Sequence, residues 1–138
     1  MILRLAAIVL LLCSIGFCQE QKASTAPAPQ AKVVFYRATG VAGNMLHASI
    51  KIDGDEPTHK IENSHMWKTE LPAGSHFIFS DDKRYGRDYV LEAGRTYYFR
   101  VVPIMSSNSV MNGRVRFRVL KVADDVADAE TWGLEEEK

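Results

Sequence analysis

Cysteine is nearly missing from this chain: its 138 residues include two, Cys13 and Cys18, both in an apolar stretch at the N-terminus. A domain formed by the residues after them holds no disulfide in any redox compartment and, once cleavage removes Cys18, no thiol for nucleophilic catalysis. Charge of one sign is lacking too. Seventeen Lys and Arg balance seventeen Asp and Glu, so net charge gives no reason to expect a general nucleic-acid binder. After Cys18 no apolar run is long enough to span a bilayer. No stretch reads G-x-S-x-G, G-x-G-x-x-G or a P-loop, and no two histidines stand at helical metal-ligand spacing. The residues therefore predict no enzyme, no cofactor and no metal site.

What the N-terminus does contain is one positive charge at Arg4, an apolar run from Leu5 to Cys18 and a polar turn at Gln19-Glu20-Gln21-Lys22. That layout predicts a signal peptide over 1–18 and an exported protein of the periplasm or outer envelope. Ile15-Gly16-Phe17-Cys18 also approaches a bacterial lipobox, which makes Cys18 the candidate lipidation site and a lipid anchor there the chain's one route to a membrane. The bulky Phe17 departs from that motif, and ordinary cleavage near Cys18 is the competing reading. An Ala/Pro-rich stretch follows, predicting a linker over 19–31.

From Lys32 to Val122 apolar and polar residues alternate in short segments separated by Gly, Pro, Asn or Asp. The pattern predicts an all-β domain over 32–122, an antiparallel β-sandwich of seven or eight short strands. Strands are expected near Val33–Arg37, Leu46–Ile52, Thr58–Glu62, Met66–Leu71, His76–Ser80, Tyr89–Leu91, Tyr97–Val102 and Val115–Lys121. Asp53-Gly54, Pro72-Ala73-Gly74 and Glu92-Ala93-Gly94 read as reversals between them, with Asp53-Gly54 supplying the positive backbone angle of a tight hairpin. Alternation names the core as Ala48, Ile50, Ile52, Trp67, Leu71, Phe77, Phe79, Tyr97, Phe99, Val101, Val115, Phe117 and Val119. It also turns His47 and His76 outward and leaves His59 and His65 partly buried. Beyond Val122 the residues predict a short helix with Val122, Val126, Ala129 and Trp132 near one face, then a solvated acidic tail, together 123–138.

Overall neutrality hides a split. Lys32 to Val122 carries fourteen basic and nine acidic residues, whereas Ala123 to Lys138 carries seven acidic and one basic. Arg114, Arg116 and Arg118 alternate along one strand and so share a sheet face, joined by Arg100. Three uses fit such a row: the wet face of an outer strand, a contact for an anionic wall or lipid component or an envelope protein, or a surface over which the acidic tail folds. Carboxylates gather at Asp53-Gly54-Asp55-Glu56 and around Asp81, Asp82 and Asp88, where turn chemistry explains them without calcium. An alternative to a binding module is a small envelope hydrolase whose two carboxyls converge from separate strands.

Val34-Phe35-Tyr36-Arg37, Ile50-Lys51-Ile52-Asp53-Gly54, Leu71-Pro72-Ala73-Gly74-Ser75-His76 and Ala93-Gly94-Arg95-Thr96-Tyr97-Tyr98-Phe99-Arg100-Val101 occur in this order. Over roughly Lys32 to Val122 the chain thereby resembles the domain of unknown function 2846 family of bacterial exported proteins and lipoproteins. The resemblance implies an envelope location and no established activity. A weaker similarity links the Asp-Gly strand and Pro-Ala-Gly-Ser-His to PEGA-type and transthyretin-like modules, which are mostly binding or spacer units. Both likenesses concern fold, and fold alone does not fix function.

Overall fold

The computed structural model describes residues 27–40, 45–105 and 115–137. The expected signal peptide with Cys18, and Arg114, lie outside the described residues. The described residues are mostly β. Their strands are β1 (Gln30–Arg37), β2 (Ala48–Ile52), β3 (His59–Ile61), β4 (His65–Pro72), β5 (Gly74–Phe79), β6 (Arg87–Leu91), β7 (Thr96–Ile104), β8 (Arg116–Val122) and β9 (Glu135–Glu137). A short helix, α1 (Asp124–Thr131), lies near the C-terminus, and a single 3₁₀ turn covers Lys83–Tyr85. Among the described residues no helix is long and apolar enough to cross a membrane.

Two sheets result, one in the order β8-β7-β1-β4-β9 and one in the order β3-β2-β5-β6. They are not uniformly antiparallel, as alternation alone suggests: β1 runs parallel to β7, and β4 parallel to β9. The connections explain this. The Pro72–Gly74 and Glu92–Gly94 reversals do not close hairpins but carry the chain from one sheet to the other, between β4 and β5 and between β6 and β7. A chain that leaves β1 and returns after visiting the other sheet can arrive in either direction. Gly94 makes its crossover with φ +75°, and no atom lies within 4 Å of where a Cβ would stand, so glycine is needed there for its backbone and not for space. At Asp53-Gly54 the positive angle falls on Asp53, at φ 57°, and not on the glycine.

One core cluster draws on both sheets, with Ala31, Val33, Phe35, Tyr97, Phe99, Val101, Phe117 and Val119 from the larger and Ala48, Ile50, Ile61, Ile78 and Leu91 from the smaller. Through it runs a row of rings. Phe99, Phe35 and Trp67 are cross-strand partners on β7, β1 and β4. Their centroids lie 5.3 Å apart for Phe35–Phe99 and 5.5 Å for Phe35–Trp67. At one end Tyr89 of β6 meets Phe99 edge-on at 4.9 Å, and at the other His59 of β3 stacks on Trp67 at 4.3 Å. Both outer strands of the smaller sheet are thus tied to the middle of the larger by aromatic contacts.

Strand β5 departs from the expected inward set. Ile78 is in the core cluster, while Phe77 and Phe79 point to the opposite face, where the 82–86 loop covers them. Gly86 permits that cover, since a Cβ there would stand 2.5 Å from Phe77 Cζ and 2.9 Å from Phe79 Cβ. His76 follows Ile78 inward and is buried, contrary to its expected outward position. Helix α1 is also turned over. Val126 and Trp132 are exposed and Ala127 is buried, because Glu130 finds polar partners in Tyr36 and Arg100 beneath it. Strand β1 starts at Gln30, ahead of the expected Val33, with Ala31 fully buried.

Phe99→Ala is expected to lower the unfolding free energy by about 3–5 kcal/mol, as large-to-small changes at a filled aromatic site do. The exposed Val90→Ala is expected to stay within about 0.5 kcal/mol of the unaltered chain. Gly94→Ala should cost about 1–2 kcal/mol through its backbone angle alone. Urea unfolding of the three variants measures these differences.

Candidate functional site

Antiparallel pairing sets Arg100 opposite Leu120, Val102 opposite Arg118 and Ile104 opposite Arg116. Paired residues share a face, so the arginines lie together on the side of the larger sheet away from the core, interleaved with half-buried Val102, Ile104 and Leu120. The row is not uniformly free. Arg100 Nη1 is 2.9 Å from Glu130 Oε1, and Glu130 Oε2 accepts a 2.6 Å hydrogen bond from the Tyr36 hydroxyl. Burial, reinforced by that carboxylate, pushes the Tyr36 hydroxyl well above the ordinary tyrosine range. Arg116 Nη1 reaches Asp82 Oδ2 at 3.1 Å. Arg118 is exposed and has no acidic partner among the described residues. Among the described residues the acidic C-terminal segment therefore meets the row at one point, through Glu130.

Beside Tyr36 on β1, Arg37 faces the core side and is 2 % exposed. Its guanidinium donates to the Leu46 carbonyl and lies 4.5 Å from the centre of the Phe117 ring. Burial lowers its pKa. On the outer face of β1, a depression of about 310 Å³ is lined by Lys32, Val33, Val34, Lys68, Thr69, Glu70 and Thr96.

In the carboxylate clusters Asp53, Asp81 and Asp82 hold backbone amides. Asp81 Oδ2 accepts from the Phe117 amide at 2.8 Å, capping a donor on the free edge of β8, and burial raises its pKa. Asp82 accepts from the Arg84 side chain and amide, which together with Arg116 hold it down at about 2. Asp53 Oδ1 accepts from the Phe77 amide at 2.8 Å, and its Oδ2 lies 2.6 Å from His76 Nδ1. The other nitrogen of His76 donates to the Pro72 carbonyl at 2.8 Å. An imidazole flanked by two oxygens can satisfy both only when protonated. Burial works against the charge, but the Pro72 and Asp53 hydrogen bonds outweigh it and raise the His76 pKa.

Three histidines gather elsewhere, with residues that no local motif connects. His59 on β3, His65 at the start of β4 and Glu135 and Glu137 on β9 meet where the two sheets adjoin, with Glu62 and His47 beside them. The register places Glu135 opposite His65 and Glu137 opposite Trp67. His59 Nε2 is 2.8 Å from Glu137 Oε2, His65 Nε2 is 3.4 Å from Glu135 Oε2, and the Glu62 amide donates to Glu137 Oε1 at 3.0 Å. His47 Nδ1 lies 3.4 Å from Glu62 Oε1 on the exposed side. Ligand atoms of Glu62, His65 and Glu137 all fall within 4.8 Å of one another. The acidic tail, expected to be solvated, is thus a strand, held also by Lys68 Nζ at 2.5 Å from Glu136 Oε2. Partial burial of His59 and His65 was legible from alternation; the glutamates they meet, some seventy residues away, were not.

No family model, curated protein or solved structure matches this chain.

Because the His76 pKa is raised in the folded state, its protonation contributes stability that is complete below the unfolded value of about 6.5 and is lost as pH rises through the folded one. The stability difference between the unaltered chain and His76→Asn is therefore expected to shrink as urea unfolding is repeated from pH 5.5 to 9. A difference that stays constant or widens would show that His76 is held neutral.

Proposed function

We propose that this chain is an exported bacterial envelope protein in which the two sheets form a β-sandwich that binds or spaces other envelope components without catalysing a reaction. The resemblance to the domain of unknown function 2846 family belongs to the same proposal, as do the signal peptide over 1–18 and lipidation at Cys18. The single core cluster shared by both sheets supports the sandwich. Carboxylates that pin turns and a strand edge support a structural use of these acids.

The observation that carries the binding surface is the state of the arginine row. Arg100 is paired with Glu130, Arg116 only shares Asp82 with the closer Arg84 and stays half exposed, and Arg118 stands exposed and without an acidic partner among the described residues. Guanidinium groups set between half-buried aliphatic side chains suit a partner that brings phosphate or carboxylate groups against an apolar surface. Arg116 and Arg118 are then the contact residues, and Arg100 serves to dock α1.

The test is co-sedimentation of the full chain with phosphatidylglycerol vesicles and with isolated cell-wall sacculi. Arg116→Gln/Arg118→Gln is expected to weaken binding several-fold to one of these probes, with Lys60→Gln on β3 as the exposed control. Equal binding by the double variant and the unaltered chain would remove the arginine row as the contact surface.

A further inference from the structure

We infer that Glu62, His65 and Glu137 form a binding site for a divalent first-row transition metal ion, with zinc as the natural probe. The inference is independent of the arginine surface. Three ligand atoms within 4.8 Å of one another, one imidazole nitrogen and two carboxylates, form a set suited to such an ion, with remaining positions open to water. A lone cluster of acids would say little. Here the imidazole is already arranged as a ligand.

The Nδ1 of His65 is 2.8 Å from the Asn63 carbonyl, which can only accept, so the ring carries its proton there. In the neutral ring this leaves Nε2, which lies 3.4 Å from Glu135 Oε2, as the nitrogen offered to a metal ion. A histidine that donates one ring N–H to a backbone carbonyl while offering the other nitrogen is the usual outer-shell arrangement of metal-binding histidines. Glu137 is supported in the same way. Its side chain is 17 % exposed, and it receives the Glu62 amide on Oε1 and lies against His59 Nε2 on Oε2. His59 is in turn held flat against Trp67, so the group that orients Glu137 is fixed by the aromatic row.

Charge supports the assignment. Glu62, Glu135 and Glu137 converge on one corner where, among the described residues, their ion-pair partners are histidines, while Lys68 is engaged with Glu136. A cation between Glu62, His65 and Glu137 would relieve that repulsion and clamp β9 to the β3–β4 connection. The site is a clamp on the C-terminal strand, and no reaction is assigned to it.

The full chain, without an affinity tag and stripped with EDTA, would be titrated with zinc chloride by calorimetry and by thermal unfolding. The expected result is one equivalent bound per chain, a raised unfolding temperature, and at least tenfold weaker binding in Glu137→Gln and His65→Asn. Glu62→Gln, at an exposed position, is the variant to rely on if either of those fails to fold, and it too should bind at least tenfold more weakly. Asp55→Asn, which alters an acid away from this corner, should bind as the unaltered chain does. No stoichiometric zinc, or binding unchanged in the folded Glu62→Gln chain, would overturn the site.

Discussion

The row of rings from Tyr89 through Phe99, Phe35 and Trp67 to His59 is the contact on which the rest of the structure depends. Without a disulfide, a domain of this size relies on buried apolar area, and within the core cluster shared by the two sheets the ring row supplies cross-sheet contacts of defined geometry. Three of the rings occupy one register row across β4, β1 and β7. The other two belong to the edge strands of the smaller sheet. Aromatic pairs at these separations contribute about 0.5–1.5 kcal/mol each beyond the area they bury, and they also fix which residues can meet around them.

The arginine row and the histidine–glutamate corner both follow from that alignment. Once β7 is seated by Phe99, Arg100 must point away from the core, and β8 carries Arg116 and Arg118 on the same side. Tyr36, one residue beyond Phe35, emerges beside Arg100, and the pair draws Glu130 and the helix onto the sheet. At the other end Trp67 holds His59, and the parallel pairing of β9 brings Glu137 alongside. One acidic segment thus divides its work, Glu130 meeting Arg100 and Tyr36 and Glu135–Glu137 meeting the histidines and Lys68.

Much of the strand pattern is legible in the sequence, because half-buried strands alternate and their turns need Gly, Pro and Asp. Each of the eight expected strands has a counterpart in the structure. The inward set fails at β5, where a loop covers Phe77 and Phe79 and makes the outer face as apolar as the inner. Three consecutive glutamates are poor strand formers by propensity, so β9 depends on tertiary partners and leaves no local signal. Helix α1 misleads for the opposite reason. Its apolar stripe is plain in the sequence, yet a buried tyrosine hydroxyl and an arginine favour the glutamate side. The arginine row was legible as a row, but the acids that contact two of its members come from other elements.

Nuclear Overhauser contacts between ring protons test the aromatic row most directly. The predicted result is a chain of cross-peaks linking Tyr89 to Phe99, Phe99 to Phe35, Phe35 to Trp67 and Trp67 to His59. Intact backbone pairing within each sheet, with Tyr89 and His59 lacking any contact to the rings of the larger sheet, would contradict the account.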